Sequence, residues 1–406
     1  MSELTRREVL EAASVVAALP ALLAACGREG GLPIDPPPAL LAAGLTTGLV
    51  WNRFCATLES AAEHLSHEAA PRSPSDVAEG YRMITRLLGL ALEMVVEGSD
   101  ADRPAFFELQ SPIRKYAGDN PDQRYAAAVI AGDRRYRIRG QRGNAVLVEV
   151  GVYAGSFSGG GQRRLAASLT EEELVFAPDG SVELELAPDA DPSRPNQIQL
   201  APDAINVLVR QYFADPHDKR SEWRIERVPR AEPAPPLAAD WLGGRLLGAA
   251  LFVERNVKTW VEFVADLARG PHNRLAPLAD AGDLQTPQGI RYLEGYWKLA
   301  PEEALVLEFE PAPVPYWGFL VMNFWMESLE WRERRVSLNS FQARLEPDGR
   351  TIRIVVAARD PGHPNWIDSA GHAEGPMSLR WAGGDETLPE VRTRVVPLAA
   401  LAQSRS

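Results

Sequence analysis

Apolar residues recur every three or four positions in the first quarter of the chain. Trp51, Phe54, Cys55, Leu58 and Ala62 share one face of a predicted helix. Ser75-Asp76 is placed to cap a second helix carrying Tyr81, Ile84, Leu87, Leu88, Ala91, Met94 and Val95, with Gly98 at its end. After Asn120-Pro121-Asp122 the period drops to two. Arg135–Arg139 alternates, as do Val146/Val148/Val150/Val152, Val182/Leu184/Leu186 and Ile205/Val207/Val209, and Trp223 and Ile225 follow. Short alternating runs between turn residues predict antiparallel strands. Helical spacing returns from Leu237 to Ala268, through Leu246, Leu247, Ala250, Leu251, Val257, Val261 and Val264. Strands resume near Gly289, with Leu305/Leu307/Phe309, Tyr316 to Phe324, Ile352/Ile354/Val356 and Val391 to Val396.

The order helix–sheet–helix–sheet predicts an α+β fold, mostly antiparallel β, in two sandwich-like halves each preceded by helices. The expected boundaries are helical segments at 39–115 and 237–275, a first half at 116–230 and a second at 285–400. A tandem duplication is legible. Pro178-Asp179-Gly180 and Pro347-Asp348-Gly349 lie 169 residues apart, as do Asp191-Pro192 and Asp360-Pro361, and Pro195-Asn196 and Pro364-Asn365. Between them, Val182/Leu184/Leu186 match Ile352/Ile354/Val356 at an offset of 170. A one-residue slip would turn a strand over, so a compensating insertion is required.

The amino terminus reads as an address. Thr5-Arg6-Arg7-Glu8-Val9-Leu10 leads into an Ala/Val/Leu run ending Leu23-Ala24-Ala25-Cys26. This resembles a twin-arginine export signal (1–25) joined to a lipoprotein box, with Cys26 taking the lipid and 26–38 as linker. The expected location is outside the cytoplasm, periplasmic or at the cell surface, on a lipid anchor. The run is short and interrupted by Glu11 and Pro20, which argues against a permanent span. Cleavage before Cys26 leaves Cys55 as the one thiol free of lipid, so no internal disulfide is available. The formal charge of −12 becomes −11, and nucleic acid is excluded as a partner because phosphate tracking needs excess Lys and Arg.

Candidate chemistry concentrates between Arg359 and Trp381, read as a loop between two apolar strands. It carries Asp360, His363, Asn365, Trp366, Asp368, Ser369, His372 and Glu374, more than turning requires. Asp360 and Asn365 suit bonds to backbone amides, whereas Asp368, His372 and Glu374 could act as acid and base or ligate a metal. Alternatively, Arg359 and Arg380 neutralise Asp368 and Glu374. On a strand, Asn323, Trp325 and Glu327 would share one face, opposite Met322, Phe324 and Met326. Such a row suits a sugar or polyol, or else covers a helix. His64 and His67 read as a solvated helix face, because no third ligand has convincing spacing. Gly155-Ser156-Phe157-Ser158-Gly159 puts Phe at the centre of a hydrolase elbow, and Gly159-Gly160-Gly161 lacks the Lys of a phosphate loop.

NPDQRY at Asn120, DRRYRIRG at Asp133, APEEAL at Ala300, YWGFLVMNFWMESLEWR at Tyr316, SLN at Ser337 and the long pattern DPGHPNWIDSAGHAEG at Asp360 together resemble the bacterial family catalogued as domain of unknown function 1214. The likeness runs from about Asp76 to Val396, with Ser369 where that family usually has Thr. It implies a β-rich fold with helical additions and no particular reaction.

Three functions are compatible with these residues. One is an exported hydrolase or lyase acting on a sugar, polyol or small ester, with Glu327, Asp368, His372 and Glu374 as catalytic groups. The second is a non-catalytic carbohydrate- or small-ligand-binding protein of the cell envelope. It would use Trp317, Asn323, Trp325, Asn339, Arg359, Asn365 and Trp366. The third is a structural interaction module. No cofactor is specified and no metal ligand is assigned.

Overall fold

The computed structural model describes residues 37–155, 163–278, 290–384 and 388–403. The export signal, Cys26 and the glycine run at Gly159 lie outside them. In the first half the alternating runs form β1 (Phe107–Glu108), β2 (Gln123–Val129), β3 (Tyr136–Gln141), β4 (Ala145–Ala154), β5 (Arg164–Leu169), β6 (Ser181–Ala187), β7 (Gln197–Gln199), β8 (Ala204–Phe213) and β9 (Glu222–Arg227). They build two sheets, ordered β1-β2-β8-β4-β5 and β7-β6-β3-β9. In the second half, β10 (Ala276–Pro277), β11 (Ile290–Lys298), β12 (Glu303–Phe309), β13 (Tyr316–Val321), β14 (Ser337–Asn339), β15 (Ile352–Ala357), β16 (Trp366–Asp368), β17 (Glu374–Ala382) and β18 (Arg392–Pro397) do the same. Their orders are β10-β11-β17-β13-β14 and β16-β15-β12-β18, so the second half repeats the topology of the first strand for strand.

The repeat extends to detail. The named strands pair antiparallel except β6 with β7 and β15 with β16, which are equivalent parallel pairs. Leu186 faces Ile198, and Val356 faces Ile367. The strand partners differ by 170 and their neighbours by 169. One residue is therefore gained before β15 and one lost after it, and the faces stay in register. Both Pro-Asp-Gly turns place glycine at positive φ, 80° for Gly180 and 73° for Gly349. In each the aspartate accepts the N–H two residues on.

Within each half, inward residues of the two sheets form one core. Val148, Val150, Val207 and Val209 meet Ile138, Leu184 and Leu186 in the first. Phe319, Met377 and Leu379 meet Leu305, Leu307 and Ile354 in the second. The opposite faces of the β2-β8-β4 and β11-β17-β13 sheets look towards each other. Leu147 and Tyr212 of one touch Ile290, Tyr316 and Ala382 of the other.

The helices are α1 (Pro38–Thr46), α2 (Leu49–Glu63), α3 (Pro74–Ala91), α4 (Ala239–Arg269) and the short α5 (Leu398–Gln403). The first four precede the two halves in sequence but form one layer. Val50, Phe54, Leu87, Leu90, Val253 and Val257 share a cluster with Ala127 and Leu208 of the first half and Tyr296, Leu320 and Met322 of the second. No helix among the described residues is long and apolar enough to cross a membrane.

Four expectations need correction. Ser73, not Ser75-Asp76, caps α3; its hydroxyl accepts the Asp76 N–H, and Pro74 opens the first turn. The buried stripe of α2 is Val50, Phe54 and Ala61, because α1 and α4 press on that side; Trp51 is 55% exposed. The strand read as Tyr316 to Phe324 stops at Val321, where the chain turns. The Arg359–Trp381 stretch is not a loop, since it contains β16 and nearly all of β17, which pairs with strands on both sides.

Candidate functional site

The predicted row at Asn323 is a capped turn. Met322 bridges Ser328, and Met326 adopts a φ of 58°. Asn323 Oδ1 accepts the N–H groups of Trp325 at 3.0 Å and Glu327 at 3.2 Å. Its Nδ2 donates to Glu79 Oε2 at 3.0 Å and lies 3.4 Å from Glu327 Oε2. Glu327 is buried and takes the Arg86 Nη1 at 2.7 Å. Burial nevertheless pushes its carboxyl above the ordinary range, against the pull of Arg86. Trp325 lies on Gly80, where a Cβ would stand 2.7 Å from its ring, and its Nε1 donates to Asp76 O at 2.7 Å. The row thus faces α3.

The other sequence candidates have structural partners. His372 Nε2 lies 2.9 Å from Glu79 Oε2. Burial works against both charges, but their mutual bond wins, raising His372 and lowering Glu79. Asp368 takes Arg334 Nη1 at 2.7 Å and the Ala370 N–H at 2.8 Å. Glu374 takes Lys298 Nζ at 2.9 Å and the Tyr296 hydroxyl at 3.1 Å. Arg359 pairs with Glu302. The neutralising cations are therefore Arg334 and Lys298 rather than Arg359 and Arg380. Asn365 donates to Arg344 O and Arg353 O, and Asn339 to Ala214 O. Trp317 is a core residue edge-on to Phe309, and Trp366 donates to Ala357 O at 3.0 Å. The four predicted acid–base groups do not converge on a shared hollow. Glu327 and His372 communicate through Asn323 and Glu79, whereas Asp368 and Glu374 answer separate cations.

A cleft of about 510 Å³ opens elsewhere, at the seam between the halves. Its walls come from Glu108 to Pro112, from the Asp119–Arg124 entry to β2, from Pro216–Lys219 after β8, and from Trp331 and Arg332 of the second half. None of the predicted catalytic residues lines it. Lys219 is the chemical centre. Its Nζ donates to Gln123 O at 3.0 Å and stands 5.0 Å from the Trp331 ring centroid, with the His217 ring 5.6 Å from the same indole. Burial pulls the Lys219 ammonium down to about 8. Behind it, burial pushes the Asp122 carboxyl up to about 6, against the Tyr316 and Asn339 hydrogen bonds and the charges of Lys219 and Arg380. Tyr316 donates to Asp122 Oδ2 at 2.7 Å and accepts from Asn120 Nδ2 at 2.8 Å. Asp119 accepts both the N–H and the hydroxyl of Ser328, which ties the cleft to the second half.

The seam stays polar beyond the cleft. Tyr125, Glu149 and Arg210 of the first half approach Tyr292, Glu294 and Arg380 of the second, all with raised pKa values. For the carboxyls the main cause is burial, which brings each to about 7. For the arginines, the neighbouring tyrosines and glutamates outweigh a burial effect of opposite sign.

Lys219, His217 and Trp331 were not among the sequence candidates. A usable signal existed: the 43 basic residues include only Lys115, Lys219, Lys258 and Lys298 as lysines. Where arginine is so favoured a lysine stands out, and Lys115 is buried and Lys219 half-buried.

No protein-family model matches the chain, and no curated protein matches it. A crystal structure of a Vibrio parahaemolyticus protein aligns at 12% identity and a TM-score of 0.45, over 83% of this chain and all of that one. A crystal structure of an uncharacterized protein from Burkholderia cenocepacia aligns with a TM-score of 0.84 and 36% identity, over 88% of this chain and 99% of that chain. At that identity and coverage, this chain belongs to the same protein family as the Burkholderia cenocepacia protein.

Proposed function

We propose that this is a small-ligand-binding protein of the cell envelope, with the seam cleft as its site. One observation carries the reading: a half-buried, partly destabilised Lys219 ammonium lines a cleft of ligand size walled by both repeats. A lysine retained at such a cost has its natural partner in an anion. Most of the lining residues are polar, and Glu108 and Ser111 keep hydrogen-bonding capacity for hydroxyl groups. Ser111 Oγ accepts the Arg114 N–H and keeps its own proton to donate. The ligand class is therefore a small hydroxylated carboxylate such as a sugar acid, its carboxylate on Lys219 with His217 alongside.

Calorimetric titration of the full chain with sugar acids, the matching neutral sugars and simple carboxylates tests this. Sugar acids should bind, and Lys219→Met should abolish binding. Equal affinity for neutral sugars, or undiminished binding by the variant, rejects the reading. Tethering through Cys26 follows from the lipoprotein box. It is tested by fatty-acid labelling of cells, which Cys26→Ser should eliminate.

A second reading, catalysis in the same cleft, draws on Lys219, which lines it and whose shift is towards the neutral amine, with Asp122 buried behind it as a partner that can tune that shift. Recovery of the ligand unchanged after prolonged incubation favours binding alone.

A further inference from the structure

We infer that Asp76, Glu79 and His372 form a binding site for a first-row divalent cation, where the helical layer meets the second half and apart from the seam cleft. Asp76 and Glu79 stand three residues apart on α3, so their carboxylates share a helix face. His372 arrives from the turn between β16 and β17, where Ala370 and Gly371 take φ values of 50° and 84°. One carboxylate oxygen from each acid and one imidazole nitrogen all lie within 4.8 Å of one another.

The imidazole is oriented for this role. Its Nδ1 faces the Ser369 carbonyl at 3.3 Å, and a carbonyl can only accept, so Nδ1 carries a hydrogen. In the neutral ring, Nε2 then aims its lone pair at Glu79 Oε2, 2.9 Å away. A carboxylate has no hydrogen to give either. Two acceptors so close require a cation between them. A proton serves at 2.9 Å. A zinc-sized ion, at about 2.1 Å from each donor, spaces tetrahedral neighbours about 3.4 Å apart, so the pair need open by only about half an ångström. Binding then displaces the proton to solvent.

The surroundings fit a metal centre. A backbone carbonyl on the far nitrogen of a ligating histidine fixes its tautomer and raises its basicity. Asn323 Nδ2 donates to Glu79 Oε2 and so holds that carboxylate in place and ionised, and Asn323 Oδ1 is itself fixed by the Trp325 and Glu327 N–H groups. The side chains of His372 and Glu79 keep 15% and 18% of their surface exposed, enough for an ion to enter and for water to complete its shell. One nitrogen and two carboxylate oxygens suit Zn²⁺ or Mn²⁺ better than Mg²⁺, which favours an all-oxygen shell rich in water.

The test is isothermal titration of the tag-free, chelator-treated full chain with Zn²⁺, Mn²⁺ and Mg²⁺ separately. Zn²⁺ or Mn²⁺ should bind with a stoichiometry of about one, and Glu79→Gln and His372→Gln should each weaken it about 100-fold or more. No binding of Zn²⁺ or Mn²⁺, a preference for Mg²⁺, or unchanged affinity in both variants would overturn the inference. Should the variants fail to fold, the wild-type chain decides. Diethyl pyrocarbonate modification of His372, mapped by mass spectrometry, should slow when the bound ion is added. An unchanged rate overturns the site.

Discussion

Arg210 and Arg380 occupy matched places in the two repeats. Arg210 on β8 lies across from Tyr125 on β2, and Arg380 on β17 lies across from Tyr292 on β11. Because the repeats meet through these faces, two guanidinium groups enter one seam. Each is accompanied by a buried carboxyl, Glu149 or Glu294, that forms no salt bridge among the described residues. A carboxylate removed from water without a counter-ion in contact is expensive to ionise, so the seam couples stability to pH.

Glu294 makes that coupling measurable. Its ordinary value is 4.5, and in the fold burial moves it to about 7. Between those values the native state holds a proton that the unfolded chain has lost, so stability falls as pH rises and then levels off. The full penalty is about 3 kcal/mol. Glu294→Gln should therefore be nearly neutral at pH 4 and stabilising at pH 8, as read by urea denaturation at both. Loss of stability at pH 8 would show that ionised Glu294 supports Arg380.

Lys219 should show opposing effects on binding and stability. The folded state prefers the neutral amine, so the penalty grows as pH falls from the ordinary 10.5 to about 8 and is complete below that. Lys219→Met should raise the melting temperature at pH 7 while removing sugar-acid binding. In the wild type, affinity for a sugar acid should decline as pH rises through about 8. Calorimetry across pH 6.5 to 9.5, roughly bracketing that value, checks the decline.

Glu327 is expected to act on folding. Arg86→Met leaves its carboxylate buried without its cation and should cost about 3–5 kcal/mol. Glu327→Gln should cost less, because the amide can still bond its neighbours. In a double-mutant cycle the two changes should couple strongly. Additive effects would mean that the 2.7 Å contact contributes little.

Gly80→Ala offers a cleaner packing test. Alanine favours a helix by about 1 kcal/mol over glycine. Here its Cβ would lie 2.7 and 2.9 Å from two atoms of the Trp325 ring. We expect net destabilisation of about 1–3 kcal/mol, measured by thermal or chemical denaturation.

Period and turn chemistry made the fold largely legible. Alternation located β3, β4, β6, β8 and β9, helical spacing located α4, and two Pro-Asp-Gly turns exposed the repeat. The short strands β7, β14 and β16 were harder to read, because three residues carry little periodic signal. The central β17 was taken for part of a loop. It carries Glu374, Pro376, Ser378 and Arg380 on its seam-facing side, so a buried strand looked like polar turn chemistry.

The site was less legible for a related reason. Polar clustering along the chain marked residues that hold the fold together, such as Asn365 bridging Arg344 and Arg353. The cleft is assembled from four segments distant in sequence, each contributing two to five residues. Lys219 sits among turn residues, with nothing nearby to signal its packing over Trp331. Glu79 likewise looked like an ordinary surface helix position until the fold brought His372 to it.

The helical layer has a consequence for dissecting this protein. Helix α4 both joins the repeats and fills a cluster to which each contributes. Severing the chain within the proline-rich stretch at 229–236 would leave each fragment with a bare, greasy slab that only its counterpart can cover. Neither should be soluble alone, whereas co-expression should reconstitute the pair. What looks like two modules in series is, for the purpose of folding, indivisible.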